Sequence, residues 1–486
     1  MDTKSLTTAL SGLAVSASSV LADGLARLRT AAGMDGGCAP LPHVRDATDY
    51  LFLAALALLP VDGTVVGWYM PFWTPISPWT FLLYAALNAR LLPAVTARFR
   101  GPAHLPLVLG ALSIIGWVTA GFHPVPVLES VGGVLGALAC LASIEIASIK
   151  RLDWRQAVRV LIAAYLIALA AGIVQFIAIR FDLTFIRQWF EHLMSRQYIT
   201  PDSQWGGGRP QFLFAEPSYI GMHLFGVLLP LSWLIRRHAP ELAHWLRALV
   251  VAFAVLAIAM GSGVRIIIDS GIALVIAIIE AADLRDRADR RRALLRIAAT
   301  VVGMGVLSLL NGRIMSILGQ GPIDGDGSLS TRIVQGLTPL WGMVQRPLNL
   351  VFGFGAGNIA AANAAGGLDV FRFFHGAGAE IPGWIYSDQD PDKVFTMSAY
   401  ASYLAEFGLA GAAALGTVIW GLVRRARPLG KTMACWILLT AYLYVQFEGY
   451  AFYALPLLMW ALRARGDQRR RRTPAGSSEA METEKR

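Results

Sequence analysis

Cysteine, lysine and charge of any kind are scarce in this chain of 486 residues, which has three cysteines and only 15% charged residues. Cys38, Cys140 and Cys435 are scattered, with at least two of them in apolar stretches, so they support neither a disulfide framework nor a metal cluster. A soluble domain carries roughly 25% charged residues. The deficit, with a mean hydropathy of +0.53, excludes a secreted, cytosolic or disordered protein. Segments of about ten alternating residues, the mark of an outer-membrane barrel, are missing too. Lysine is reduced to Lys4, Lys150, Lys393, Lys431 and Lys485, leaving 37 arginines among the 42 basic residues. A GC-rich genome accounts for most of that preference. No internal repeat is visible, so the inverted-repeat signature of many secondary transporters is also missing.

What is present is a series of apolar runs at the length a bilayer demands. Candidate spans are 48–63, 77–95, 105–122, 126–147, 157–179, 217–235, 244–260, 263–281, 293–310, 396–422, 431–447 and 449–463. The first is short and interrupted by Pro60. The expectation is an all-α polytopic integral membrane protein of about twelve transmembrane helices. The formal charge of +10 sorts by connector. Arg98/Arg100, Lys150 to Arg159, Arg236 to Arg247, Arg285 to Arg296, Arg424 to Lys431 and the tail from Arg463 are basic. The alternate connectors at 64–76, 123–125 and 448 carry no Lys or Arg. By the positive-inside rule both termini are cytoplasmic. Residues 1–47 then form a cytoplasmic segment, with only a weak, Ser/Thr-rich imitation of a signal peptide, which is expected to be retained. Residues 48–463 form the membrane domain and 464–486 a basic cytoplasmic tail. Two outer connectors, about 180–216 and 311–395, are long and rich in Trp, Phe and Gly, and are expected to cap a cavity in the outer half of the membrane.

The informative charges are the arginines that break this pattern. Arg209, Arg265 and Arg332 lie on the outer side, with Arg180, Arg187, Arg196, Arg313, Arg346 and Arg372 behind them. A planar guanidinium donates two parallel charge-assisted hydrogen bonds to a diphosphate, although any one of them could be an ordinary surface charge. Arg209 opens the string Arg209-Pro210-Gln211-Phe212-Leu213-Phe214-Ala215-Glu216-Pro217-Ser218-Tyr219, which runs into a membrane helix. Pro217 suits the first turn, Glu216 is expected at the helix N-terminus, and His223 seven residues on is expected on the same face. The pair could orient a sugar hydroxyl or act as a base; equally, it could be a capping carboxylate above a core histidine. Arg265 follows Gly261-Ser262-Gly263 with Asp269 one turn later, an i,i+4 ion pair in its plainest reading. Arg332 opens an amphipathic helix in the large outer loop, which also holds His375 and Glu380. Gly353-Phe354-Gly355-Ala356-Gly357-Asn358 lacks the spacing and acidic partner of a dinucleotide loop. Asp324-Gly325-Asp326-Gly327 is too short for a calcium loop.

These segments resemble the O-antigen polymerase and O-antigen ligase superfamily of bacterial inner-membrane glycosyltransferases, over roughly 200–420. Three pieces match in the family's order. They are Arg209-Pro210 with Phe214 to Tyr219, then Ser330-Thr331-Arg332 leading to Gly353 to Asn358, and finally Tyr403-Leu404-Ala405-Glu406-Phe407-Gly408-Leu409-Ala410-Gly411. The resemblance implies a GT-C-like architecture with its active site on the periplasmic face. It also implies metal-independent, inverting transfer from an undecaprenyl-diphosphate-linked glycan, with no cofactor. Arg209, Glu216, Arg332 and His375 would then be catalytic, and Arg265, Ser218, Tyr219 and His223 would bind substrate. The implied partners are the lipid-linked oligosaccharide, membrane lipids and a chain-length regulator, not nucleic acid. Ligases place a His-Asn pair shortly before the Glu-x-Gly stretch. Here that neighbourhood reads Thr396-Met397-Ser398-Ala399-Tyr400, which favours a polymerase making O-antigen or exopolysaccharide. The alternatives are a ligase and, from another class, a lipid-linked sugar transporter or flippase.

Overall fold

The computed structural model describes residues 46–69, 74–201, 207–309, 312–324, 327–381, 383, 385, 389–390, 398–447 and 453–472. Cys38, Gly325-Asp326, the Thr396-Met397 pair, nearly all of segment 1–47 and the end of the tail lie outside the described residues, as do the side chains of Arg313 and Asp324.

Helices dominate. In chain order they are α1 (Thr48–Ala57), α2 (Ile76–Leu87), α3 (Leu92–Arg98), α4 (Arg100–Ala120), α5 (Pro124–Ile149), α6 (Trp154–Arg180) and α7 (Thr184–Leu193). After the outer connector come α8 (Leu229–Ile235), α9 (Pro240–Ala259), α10 (Val264–Ala281), α11 (Arg287–Leu309), α12 (Gly312–Asp324) and α13 (Gly327–Gln345). The series ends with α14 (Pro347–Phe352), α15 (Ile359–His375), α16 (Ala399–Ala426), α17 (Lys431–Val445) and α18 (Ala454–Arg472). A two-residue antiparallel ladder pairs Trp68–Tyr69 with Thr74–Pro75.

A helix stands at each expected span, yet among the described residues seven are long and apolar enough to cross a membrane, or eight if the bent pair 76–87 and 89–98 is one span. The shortfall from twelve has physical causes. A helix rises 1.5 Å per residue against a hydrocarbon core of about 30 Å. The 10 residues of α1 and the 15 of α17 are therefore short. The length of α10 suffices, but it carries Arg265, Asp269 and Glu280, and α18 ends in a run of arginines.

The bundle has two chemically distinct ends. One gathers the basic connectors: Arg98 pairs with Glu145 and Asp467, Lys150 with Asp46 and Asp49, and Arg236 with Glu280. The other end holds the long connectors, whose described residues include helices. Segment 180–216 contains α7, and segment 311–395 contains α12 to α15, with Arg332 on α13 as expected. The glycine run 353–357 fastens this end. Gly353, Gly355 and Gly357 have φ near +80° to +89°, a region that disfavours any Cβ. A Cβ at any of the three would overlap neighbouring backbone. Phe354 N–H donates to Ala405 O at 2.8 Å, Gly355 N–H to Glu406 O at 2.9 Å, and Gly357 N–H to the Glu406 carboxylate at 2.7 Å. Ser130 Oγ donates to the same carboxylate at 2.8 Å. The second and third family-like pieces therefore pack against each other, with buried Glu406 as the shared acceptor.

Candidate functional site

The connector before residue 217 is irregular backbone, which membrane proteins tolerate only where protein satisfies its polar groups. A fully buried glutamine near the C-terminal end of α6 does this. Gln175 Oε1 accepts from the N–H groups of Phe212 at 2.8 Å and Gln211 at 3.1 Å, and its amide donates to Phe212 O. Gln211, also buried, accepts from Tyr198 N–H at 2.8 Å and donates to Phe214 O at 3.1 Å. Phe212 has a left-handed φ of 61°, and its ring lies 4.6 Å from that of Phe253. Neither glutamine emerged from motif reasoning. The available signal was a polar side chain inside an apolar run, which in a membrane protein marks a functional or structural contact.

Upon this platform stand the side chains with chemistry. Arg209 donates its backbone N–H to Tyr198 O at 3.1 Å and lays its guanidinium 5.1 Å from the centre of the Tyr198 ring. Arg196 forms an ion pair with Glu216 Oε1, and Ser218 Oγ donates to Glu216 Oε2 at 2.8 Å. Burial, with the Glu216 charge beside it, pushes the Tyr198 phenol above its ordinary range despite two nearby arginines. Glu216 does precede a helical turn, the 3-10 turn Pro217–Tyr219, but its carboxylate makes no cap hydrogen bond and turns to Arg196 and Ser218 instead. A nearby guanidinium outcompetes the partial charge of a single turn.

Arg209 Nη1 lies 3.8 Å from where a Cβ would stand on Gly263, two residues before Arg265. Arg265 is only 7% exposed and sits at the start of α10. Its Nε is 3.4 Å from Asp269 Oδ2, the i,i+4 pair expected from spacing, and its guanidinium lies 5.5 Å from the Phe447 ring centre. Tyr219 packs against the same ring, with centroids 4.8 Å apart. Tyr442 donates to Asp269 Oδ1 at 2.7 Å, and the charge of Arg332 acts on the same carboxylate. Gly221 approaches Asp269 so closely that a Cβ would overlap the carboxylate. Among the described residues three donors in this neighbourhood, Arg265 Nε, Arg265 Nη2 and Ser262 Oγ, are buried with no hydrogen-bond partner, as is one acceptor, Asp269 Oδ2.

The structure thus brings Arg209, Glu216, Ser218, Tyr219, Arg265 and Arg332 into one neighbourhood, and adds Arg196, Tyr198, Ser262, Asp269 and Tyr442. His223 belongs to a different set of contacts. The expected single helix is replaced by a 3-10 turn, a π-helical segment Met222–Leu228 and α8, so the seven-residue spacing no longer returns to the same face. Fully buried, His223 accepts or donates at 2.6 Å to the Tyr165 hydroxyl, with its Nε2 3.7 Å from Asp62 and its ring 4.7 Å from Phe214. His375 closes α15, its Nδ1 3.1 Å from Phe371 O and its ring stacked 4.2 Å over that of Phe371. Among the described residues no group of three or more His, Cys, Asp or Glu side chains is arranged to hold a metal ion.

Compared with known proteins, the chain matches no family model, no curated protein and no solved structure.

Proposed function

We propose that the chain is a periplasmic-face glycosyltransferase of the bacterial inner membrane. It would polymerise oligosaccharide repeat units carried on undecaprenyl diphosphate. About twelve helices, with α1, α10, α17 and α18 among the spans, and two cytoplasmic termini would place the arginine cluster in the outer leaflet, in a GT-C-like architecture. The observation that carries this reading is the set of buried, unsatisfied donors on Arg265 and Ser262 beside Arg209. Buried donors without acceptors cost free energy unless a ligand answers them, and a diphosphate is the acceptor whose geometry suits a guanidinium fork. In the proposed step, an acceptor hydroxyl oxygen bonds to the anomeric carbon while the bond from that carbon to the diphosphate oxygen breaks. The departing electron pair stays on the diphosphate, where Arg209, Arg265 and Arg332 stabilise the growing charge. Glu216, held by Arg196 and Ser218, orients the hydroxyl and takes its proton.

The test is elongation of purified lipid-diphosphate repeat units by the full chain, without nucleotide sugar or added divalent ion. Retained activity after chelation is expected, and a strict need for a divalent ion would refute the metal-independent step. A ligase would instead pass the finished glycan to a second acceptor and leave repeat units unjoined.

A lipid-linked sugar transporter is the second reading, because a cavity of about 1400 Å³ opens at the opposite, basic end. Enzyme chemistry is preferred over it because side chains fill the path between that cavity and Glu216. Tyr453 lines the cavity, its ring lies 6.1 Å from that of His223, and His223 in turn packs on Phe214, two residues before Glu216.

A further inference from the structure

The basic end holds a cavity that the proposed chemistry does not use. Its volume, about 1400 Å³, exceeds the roughly 300–1,000 Å³ of an ordinary ligand pocket. The walls change character with depth. At the mouth stand six cations, Arg151, Arg155, Arg236, Arg237, Lys431 and Arg465, against a single carboxylate, Asp153. That carboxylate is already engaged, accepting from Arg155 N–H as the N-cap of α6. Arg236 and Lys431 are committed to Glu280 and Ala282 O. The side chains of Arg151 and Arg237 form no ion pair or hydrogen bond among the described residues, and both are exposed. Trp154, Trp233 and Trp460 line the cavity as well, residues of the type that settles at headgroup level. Deeper, the lining turns apolar, with Phe52, Leu56, Phe81, Leu161 and Leu457. Leu161 stands seven residues inside α6 from Trp154, about 10 Å along the axis at 1.5 Å per residue.

Net positive charge at headgroup level above an apolar shaft fits one ligand class, a phosphate bearing a hydrocarbon chain. We propose that this cavity is a binding site for an anionic phosphate-headgroup lipid of the surrounding leaflet. The phosphate sits at Arg151 and Arg237, and the chain runs down between α1, α2, α6 and α18. A free phosphate would gain nothing from the apolar depth, and a zwitterionic lipid would carry its own compensating charge to the mouth. The inference is independent of the glycosyltransferase reading, since none of the residues it uses belongs to the arginine cluster at the other end.

The test is lipid binding to the purified full chain by native mass spectrometry. The probes are phosphatidylglycerol, phosphatidylcholine of the same chains, and inorganic phosphate as competitor. Removing both Arg151 and Arg237 (R151A/R237A) is expected to weaken phosphatidylglycerol binding roughly fivefold per arginine, on the order of 25-fold together. Leu161→Trp, which fills the shaft and leaves the charge intact, is expected to displace the lipid. Arg290→Ala with Arg291→Ala removes equal charge from exposed positions outside the cavity and is expected to leave binding unchanged. Loss of lipid from that control equal to the loss from the cavity pair would overturn the proposal, because binding would then follow net surface charge. Undiminished binding in Leu161→Trp, equal retention of phosphatidylcholine, or full displacement by millimolar phosphate would each overturn it too.

Discussion

Arginine does different work at the two ends of this bundle. At the basic end Arg98 and Arg236 lie at the surface and meet carboxylates that face them, Glu145 and Glu280. Around residues 196–332 the same side chain is pulled inward. Arg265 is almost fully buried and two of its nitrogens lack a hydrogen-bond acceptor among the described residues, while Arg196 and Arg209 flank the Tyr198 phenol and Arg332 acts on the Asp269 carboxylate. Pairs of the first kind leave the arginine partly in water and set its charge directly against a buried carboxylate. Charges of the second kind are costly to desolvate, so their retention points to a ligand. The lesson is that the arginines of this chain fall into two environments, and that burial distinguishes them better than position in the sequence.

The sharpest way to break that comparison is to delete one arginine from each end. Arg265→Ala should abolish glycan elongation, on the scale of the 10²–10³-fold lost with a preorganised transition-state donor. Arg285→Ala, exposed at the basic end, should leave chain length unchanged on a gel of the polymer. Equal losses from both would erase the distinction. Arg265→Lys retains the charge but not the fork, and should recover only part of the activity. Next in size is the platform. Gln175→Leu strips two backbone donors and one acceptor of their buried partner, at about 1–3 kcal/mol for each group left unsatisfied. The thermal transition in detergent should fall by several degrees, with elongation falling beside it. Gly221→Ala should lower the transition and weaken lipid-diphosphate binding together, because its Cβ displaces Asp269, the buried partner of Arg265.

The smallest expected effect concerns acid stability at the basic end. Hydrogen bonds from Lys150 and Thr48 hold the Asp46 carboxyl at about 2, below its ordinary 3.8. A carboxyl whose folded value is depressed adds stability that is full above the unfolded value and disappears as pH falls through the folded one. Asp46→Asn should therefore remove a small increment at pH 6, a smaller one at pH 2 and essentially none at about pH 1. A melting series from pH 6 downward reads the difference. A deficit in the variant that is as large at pH 2 as at pH 6 would contradict the assignment.

The helical membrane character and the segregation of basic connectors were legible because both depend on composition averaged over many residues. So was the grouping of Arg209, Glu216 and Arg332, carried by short strings around each. The helix count was harder to read, since α1 and α17 end early and α10 carries charges inside a run whose average is apolar. The seven-residue step from Glu216 to His223 failed because the segment winds as 3-10 and π turns, and no residue pattern announces that change of pitch. Gln175 illustrates a further limit. A lone amide in an apolar stretch shows that something polar must meet it, but its partners lie 36 and 37 residues away, and only the fold brings them together.

The central claim, that the arginines gathered around Arg265 neutralise a departing lipid diphosphate, is tested most directly by reconstituted elongation. The full chain and its Arg209→Ala and Arg265→Ala variants, matched for thermal stability, are given lipid-diphosphate repeat units alone. Polymer from the unaltered chain and unreacted repeat units from both variants is the expected result. Polymer of undiminished length from either variant would contradict it.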